Sequence, residues 1–353
     1  MTAANTKIVV EGVYKIFGNA SKTALAMARE GVAKSEILAK TGCVLALNNI
    51  SLSVNAGETF VIMGLSGSGK STLIRHFNRL VEPTAGSIRV DGEDVLGMSS
   101  DRLLKFRRGG ISMVFQRFGL LPHQTVLENV ICGLSLNGVS EGDALRRGME
   151  QIEIVGLSGF EMKYPRQLSG GMQQRVGLAR ALATEADILL MDEAFSALDP
   201  LIKADMQAQL KDIQKRLRKT IVFITHDLDE GLHLGDRLAI LKDGNIRQIG
   251  TGEDIVFSPA DDYVRRFVQK VDYAKALSVR SVLAKENPAA MAGASSQTTN
   301  FGHMPASVDI NSSLASCFPL LGSHSTLVVT ENGSPVGSIS RETTFRAMAQ
   351  SSN

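Results

Sequence analysis

Residues Gly64-Leu65-Ser66-Gly67-Ser68-Gly69-Lys70-Ser71 fit the spacing G-x-x-x-x-G-K-[ST]. Glycines at Gly64, Gly67 and Gly69 let a backbone wrap a phosphate chain with its N–H groups turned inward. Lys70 offers a point charge to β- and γ-phosphates. Ser71, with Thr72 beside it, offers a hydroxyl suited to Mg2+. Leu65, Ser66 and Ser68 complete the loop, and a helix starting near Lys70 adds its positive end. A second glycine-rich run follows: Leu168-Ser169-Gly170-Gly171-Met172-Gln173-Gln174. Ser169-Gly170-Gly171 precedes a helical stretch, so it too presents free N–H groups to an anion.

Two acidic residues, Asp192 and Glu193, close the apolar run Ile188-Leu189-Leu190-Met191. A carboxylate at the end of a buried strand can meet the hydration shell of Mg2+. Its neighbour can polarise an attacking water beside the γ-phosphate. His226 lies just past the run Thr220-Ile221-Val222-Phe223-Ile224. In a parallel sheet the C-terminal ends of strands converge on one ligand edge, which groups His226 with Glu193 and the loop.

Positioning these residues requires strand, loop and helix in succession. Thr59–Met63 is an apolar run of buried-strand type leading into the loop, and a helix with Leu73, Ile74, Phe77 and Leu80 is expected to run until Pro83. Residues 7–17 alternate like an edge strand, and 44–62 hold two strand-like runs about the turn Asn55-Ala56-Gly57. A stretch of about 95–180 reads as helix-rich. Between the last two buried runs, Met206, Leu210, Ile213 and Leu217 follow the helical period. Strands alternating with helices predict an α/β fold with a parallel sheet.

The chain has 353 residues, 44% of them hydrophobic, which permits one large domain or two smaller ones with a full core. A net charge of +2 gives no basis for a nucleic-acid surface. No apolar stretch is long enough to span a bilayer, and the charges at Lys7 and Glu11 interrupt any secretory apolar core. Cys43, Cys132 and Cys317 lack metal-site spacing and read as reduced thiols.

Gly64–Ser71, Gln116, Leu168–Gln174, Asp192-Glu193, Ser196-Ala197-Leu198-Asp199 and His226 occur in the order of the ATP-binding-cassette (ABC) ATPases, and the chain resembles that family over about residues 8–270. The resemblance implies a P-loop NTPase cassette with a parallel-sheet core, antiparallel N-terminal strands and a helical subdomain. It implies ATP and Mg2+ as ligands, with Glu193, His226 and Gln116 as catalytic residues. Ser71, Gln116 and Asp192 would serve Mg2+ directly or through water. Ser169, Gly170, Gly171 and Gln173 resemble the signature loop, and Asp199 the D-loop aspartate. Both contact the other subunit of an ATP-sandwiched homodimer. Phe17 stands where the family places an adenine-stacking aromatic, the alternative being a buried core residue.

An insertion at 19–41, the stretch Val61–Lys70 and the form D-E-A-F-S-A-L-D-P over 192–200 resemble the glycine betaine/proline (quaternary-amine) importer ATPases. The resemblance implies an ATP-hydrolysing subunit on the cytoplasmic face of the inner membrane. It would act peripherally with permease subunits and an extracytoplasmic solute-binding protein. The cargo would be glycine betaine, proline betaine or choline. Trimethylamine N-oxide, an amino acid, and a soluble non-transport ABC ATPase are the alternatives. Arg117-Phe118-Gly119-Leu120-Leu121-Pro122, beside Gln116, is expected to help receive a permease helix.

The cassette is expected over 1–272, followed by a linker at 273–307 whose segment 286–307 is small and polar. Residues 308–353 resemble a single α+β CBS repeat, with Thr343 where a ribose-binding aspartate would stand. Such a unit is too small to bury much core alone.

Overall fold

The computed structural model describes residues 6–116, 119–196, 198–269, 279–286 and 306–344. These divide into two compact units, one drawn from Met1–Asp227 and Leu234–Ile249, the other from Leu228–His233 and Gly250–Asn353.

The first unit begins with β1 (Thr6–Phe17), then α1 (Ser21–Arg29) and α2 (Lys34–Thr41). These two helices are the expected insertion. Ala24, Ala28 and Ile37 turn inward onto Ile16, Cys43 and Leu45. Strand β2 (Val44–Asn55) returns antiparallel to β1, with Phe17 opposite Val44. The fully buried β3 (Thr59–Met63) leads into the glycine-rich loop and α3 (Lys70–Phe77). Helix α3 ends at Phe77 rather than running to Pro83, because Arg79 takes a left-handed φ of +52° that breaks the helix. Its face of Leu73, Ile74 and Phe77 is fully buried. At roughly 1.5–3 kcal/mol for each such side chain, that anchor holds the helix whose first turn carries Lys70 and Ser71.

Strand β4 (Ala85–Val90) pairs with the free side of β1, and β5 (Glu93–Asp94) completes the order β2-β1-β4-β5. Strand β1 is therefore an inner strand, not the edge strand its alternation predicts. The short β4, which buries Ile88 and Val90, covers that edge.

After α4 (Ser100–Lys105) comes β6 (Ile111–Val114), a strand inside the stretch read as helix-rich. Its four residues are too few to show a period, and pairing with a distant neighbour makes it a strand. Helices α5 (Val126–Leu136), α6 (Glu141–Ile154) and α7 (Gly170–Ala183) follow. Then come β7 (Ile188–Asp192), α8 (Pro200–Leu217) and β8 (Thr220–Thr225). On α8, Met206, Leu210 and Ile213 are buried as their spacing predicts, while the side chain of Leu217 lies outside the described ones. Strands β9 (Arg237–Lys242) and β10 (Asn245–Gly250) finish a six-stranded sheet of order β10-β9-β3-β8-β7-β6. Neighbours from β9 to β6 are parallel. The core lies between this sheet, α3 and the four-stranded sheet, where Ile62, Phe77, Leu190 and Val222 meet Ile50 and Ile88.

The second unit takes α9 (Leu228–Leu234) up to His233, and in it α10 (Gly252–Phe257) and α11 (Asp262–Val268) precede a helix at Val279–Glu286. A three-stranded sheet follows: β11 (Ser307–Asp309), β12 (Thr326–Glu331) and β13 (Ser334–Ser340), with helix Phe318–Ser323 between the first two strands. Strands β12 and β13 form a hairpin closed by Asn332-Gly333, both at positive φ as a type I′ turn requires. Helix Val279–Glu286 falls within the span 273–307 expected as linker, yet it is part of this core. Val279, Val282 and Leu283 pack with Val308, Leu327, Val329 and Ile339. The sheet is too small to close a core by itself, and the i, i+3, i+4 spacing supplies the missing layer. Residues 273–278, 287–305 and 345–353 of the expected linker and tail lie outside the described residues. Thr343 sits in a reciprocal cap, its Oγ1 accepting from the Ser340 N–H at 2.9 Å while Ser340 Oγ accepts from the Thr343 N–H at 3.1 Å.

Candidate nucleotide site

Four parallel strands deliver the candidate residues to one edge of the large sheet. Strand β3 ends at Met63 before the loop, β7 ends in Asp192, β8 ends one residue before His226, and β6 ends two residues before Gln116. Glycine is required at Gly64, where a Cβ would lie 2.3 Å from the Leu241 carbonyl oxygen at φ +150°. It is also required at Gly69, the residue before α3, at φ +102° and 2.7 Å from the Ala46 oxygen. Ser68 Oγ is buried without a hydrogen-bond partner. That orphan hydroxyl, in a loop of outward-facing Leu65, Ser66 and Gly67, suits a polyanion such as a phosphate chain.

Lys70 is 4% exposed and donates from Nζ to the carbonyl oxygens of Gly64 at 2.8 Å and Leu65 at 3.1 Å. Burial pushes its ammonium below the ordinary lysine value, against the opposing pull of Glu193 and Asp192. The ammonium lies 3.8 Å from Glu193 Oε1, and His226 Nδ1 lies 3.7 Å from the same oxygen. Gln116 Nε2 donates to the other oxygen, Oε2, at 2.8 Å. Glu193 itself has φ +49°, held by an N–H bond to the Ile224 carbonyl at 3.1 Å. One carboxylate thus meets the lysine that closes the glycine-rich loop, the second residue past β6 and the residue after β8. An anion so placed can take a proton from, or orient, a water bound between them.

Asp192 is fully buried, and Ser71 Oγ donates to its Oδ1 at 2.7 Å. A hydroxyl and a carboxylate side by side are hard oxygen donors of the kind Mg2+ prefers. Among the described residues no cluster of three His, Cys, Asp or Glu side chains forms a metal cage. Mg2+ keeps several waters and takes phosphate oxygens, so one hydroxyl and one carboxylate are the share a protein would supply to it. Thr72 lies in the first turn of α3, where its carbonyl oxygen meets His76 Nδ1 at 2.5 Å. Arg75 belongs to none of the sequence motifs, yet its Nη2 reaches Asp192 Oδ2 at 3.2 Å. Its place four residues after Ser71 on one helix face is the signal that finds it.

The second glycine-rich run is elsewhere on the unit's surface. Ser169 and Gly170 are exposed, and Ser169 Oγ caps α7 by accepting from the Met172 N–H at 3.3 Å. Gly171 follows in the first turn of α7, and Gln173 donates to the Leu168 carbonyl. Asp199 is exposed and caps α8 through the N–H groups of Leu201 and Ile202. Among the described residues, no hydrogen bond of Ser169 or Asp199 leads to the Gly64–Ser71 loop. Ala197, between Ser196 and Leu198, lies outside the described residues, as do Arg117 and Phe118. Phe17 is 45% exposed rather than buried in the core, and the Lys15 ammonium lies 4.8 Å from its ring centroid.

No helix among the described residues is long and apolar enough to cross a membrane. A family model described as ABC transporter matches residues 47–196. The chain is 56% identical over 277 residues to the glycine betaine transport ATP-binding protein of Bacillus subtilis, covering 78% of this chain and 66% of that protein. It is 48% identical over 278 residues to the trimethylamine N-oxide transport system ATP-binding protein of Pelagibacter ubique, covering 79% and 81%. A dimeric ATP-binding cassette solved in a post-hydrolysis state with ADP and Pi matches with TM-score 0.60 and 33% identity, over 69% of this chain and 98% of that one. Sheet order, glycine-rich loop and sequence therefore agree, and the chain belongs to the ATP-binding proteins of ABC transporters.

Proposed function

We propose that this chain hydrolyses ATP to drive import of a quaternary ammonium or related compatible solute through separate permease subunits. The observation that carries the reading is Glu193, whose carboxylate meets Lys70, Gln116 and His226 at the end of the parallel strands. Glu193 orients and deprotonates the attacking water, His226 and Gln116 hold that carboxylate and water in place, and Lys70 leaves its carbonyl partners for the β- and γ-phosphates. Leu65, Ser66, Gly67 and Ser68 line the phosphate path, and the N-terminal end of α3 adds positive potential. Phe17 offers an exposed ring to adenine.

Mg2+ would be held by Ser71 and Asp192, with Gln116 nearby, and would neutralise charge on the phosphates. Ser169 and Gly170 are exposed and Gly171 half-buried at a helix start, away from their own loop. Their use is explained if a second copy stacks head to tail, so that this run and Asp199 complete the partner's site. A similar cassette solved as a dimer with ADP and Pi supports pairing of two copies. ATP then joins the two copies and hydrolysis parts them.

Relatives named for glycine betaine and trimethylamine N-oxide transport favour a small methylated amine as cargo and a transport role over a soluble non-transport ATPase. Leu120 and Leu121, beside Gln116, are the surface assigned to the permease. Asn129 fastens this loop, donating to the Leu121 carbonyl at 3.0 Å and accepting its N–H at 2.7 Å. Residues 308–353 are read as a CBS-like dimerisation element. Deleting the gene in its own host and measuring uptake of labelled glycine betaine and trimethylamine N-oxide tests the reading. Uptake of both at the parental rate would sink it, and restoration by the wild-type chain but not by Leu120→Asp/Leu121→Asp would place the permease contact.

A further inference from the structure

Both oxygens of the buried Asp192 carboxylate are claimed from helix α3. Ser71 takes Oδ1, and Arg75, one helical turn on, takes Oδ2 at 3.2 Å. Among the described residues Arg75 is the only cation within ion-pairing distance of Asp192. The other nearby cation, Lys70, is committed to the loop carbonyls and faces Glu193. The Arg75 side chain is 43% exposed while Asp192 has no exposed surface, so the guanidinium reaches the carboxylate from the solvent side. A buried carboxylate with a single hydroxyl donor would be costly, and the guanidinium offsets that cost.

The same carboxylate is the one assigned above to Mg2+. Two cations sharing one anion divide its charge, and each weakens the hold of the other. A polyphosphate arriving without an ion would also be repelled by an uncompensated Asp192.

We propose that Arg75 is a positioning residue and counter-charge for Asp192 that sets how strongly nucleotide binding depends on Mg2+. The inference rests on the assignment of Asp192 to the ion site. With Arg75 in place, Asp192 is neutralised whether or not the ion is bound, and its second oxygen is pinned so that the first faces Ser71. Without Arg75, ion-free nucleotide meets an extra negative charge while the ion is drawn in more strongly.

The test is calorimetric titration of the full-length chain with ADP, which needs no turnover, in excess EDTA and across a Mg2+ series. Arg75→Gln is expected to weaken ADP binding in EDTA by about tenfold and to lower the Mg2+ concentration at half-maximal binding by about threefold. Arg75→Lys keeps the charge and is expected to bind ADP in EDTA like the wild type. A uniform loss of affinity with and without Mg2+ in Arg75→Gln overturns the proposal, because a merely structural role would act on both alike. An Arg75→Lys chain as weak as Arg75→Gln in EDTA overturns it as well. Asp192→Asn separates the two levels: if it leaves the Mg2+ dependence unchanged, the ion-site assignment fails, independently of Arg75.

Discussion

Gln116 Nε2 donates to Glu193 Oε2 at 2.8 Å across 77 residues of chain. The bond links the second residue past β6 to the residue after β7, two adjacent parallel strands. It leaves Oε1 of Glu193 facing Lys70 and His226. A change at the outer end of β6 therefore acts directly on the carboxylate assigned to the attacking water.

Glu193→Gln is expected to lower ATP turnover by about a hundredfold or more while nucleotide binding persists, since a general base contributes on that scale. Phosphate release and equilibrium binding of ATP on the same preparation read the two effects separately. Lys70→Ala should give the opposite pattern, with binding itself lost, because Lys70 is the buried cation of the loop.

Ser169 caps α7 and also stands at the proposed contact with a second copy. Ser169→Ala should cost about 1 kcal/mol of stability through the lost cap, seen as a small shift in the urea midpoint. In a Glu193→Gln background the same change should reduce ATP-dependent dimer formation on size-exclusion chromatography. An unchanged dimer fraction would remove Ser169 from the interface.

His76 is fully buried on α3 with Nε2 unpartnered, and burial pushes its imidazole down to about 4 from the usual 6.5. Between those values the unfolded chain binds a proton that the folded chain does not. Stability therefore rises with pH through that window. The contribution is complete above pH 6.5 and lost as pH falls toward 4, at most about 3 kcal/mol. Urea unfolding at pH 5 and pH 7 should show a smaller difference for His76→Gln than for the wild type.

Leu283 lies on the helix inside the presumed linker and packs against the C-terminal sheet. A Cβ at Gly337 would come within 2.6 Å of Leu283 Cδ2, so that contact is tight. Leu283→Ala should destabilise this unit by about 2–5 kcal/mol. Limited proteolysis should then release the C-terminal segment sooner while ATP binding is retained. Unchanged proteolysis would return residues 279–286 to a linker role.

The glycine-rich loop, the helix after it and the buried strands β3, β7 and β8 were legible because short-range rules suffice there. Glycine at fixed spacing, a run of five or six apolar residues and a helical period are all local. Strand β6 was not legible, since Ile111-Ser112-Met113-Val114 becomes a strand only by pairing with Ile188–Met191. The inner position of β1 and the helix at Val279–Glu286 were hidden for the same reason. Each depends on a surface contributed by distant residues.

By itself the sequence determined which chemistry the chain carries: a phosphate loop, a lysine, a serine, two adjacent carboxylates and a histidine. Their types and order follow from covalent structure and local propensity. Only the tertiary structure decided which of them meet. It put Gln116 and His226 on Glu193, aimed Arg75 and Ser71 at the two oxygens of Asp192, and left Ser169 exposed on another part of the unit. Distances between side chains far apart in the chain are set by sheet order and core packing, which no local pattern encodes.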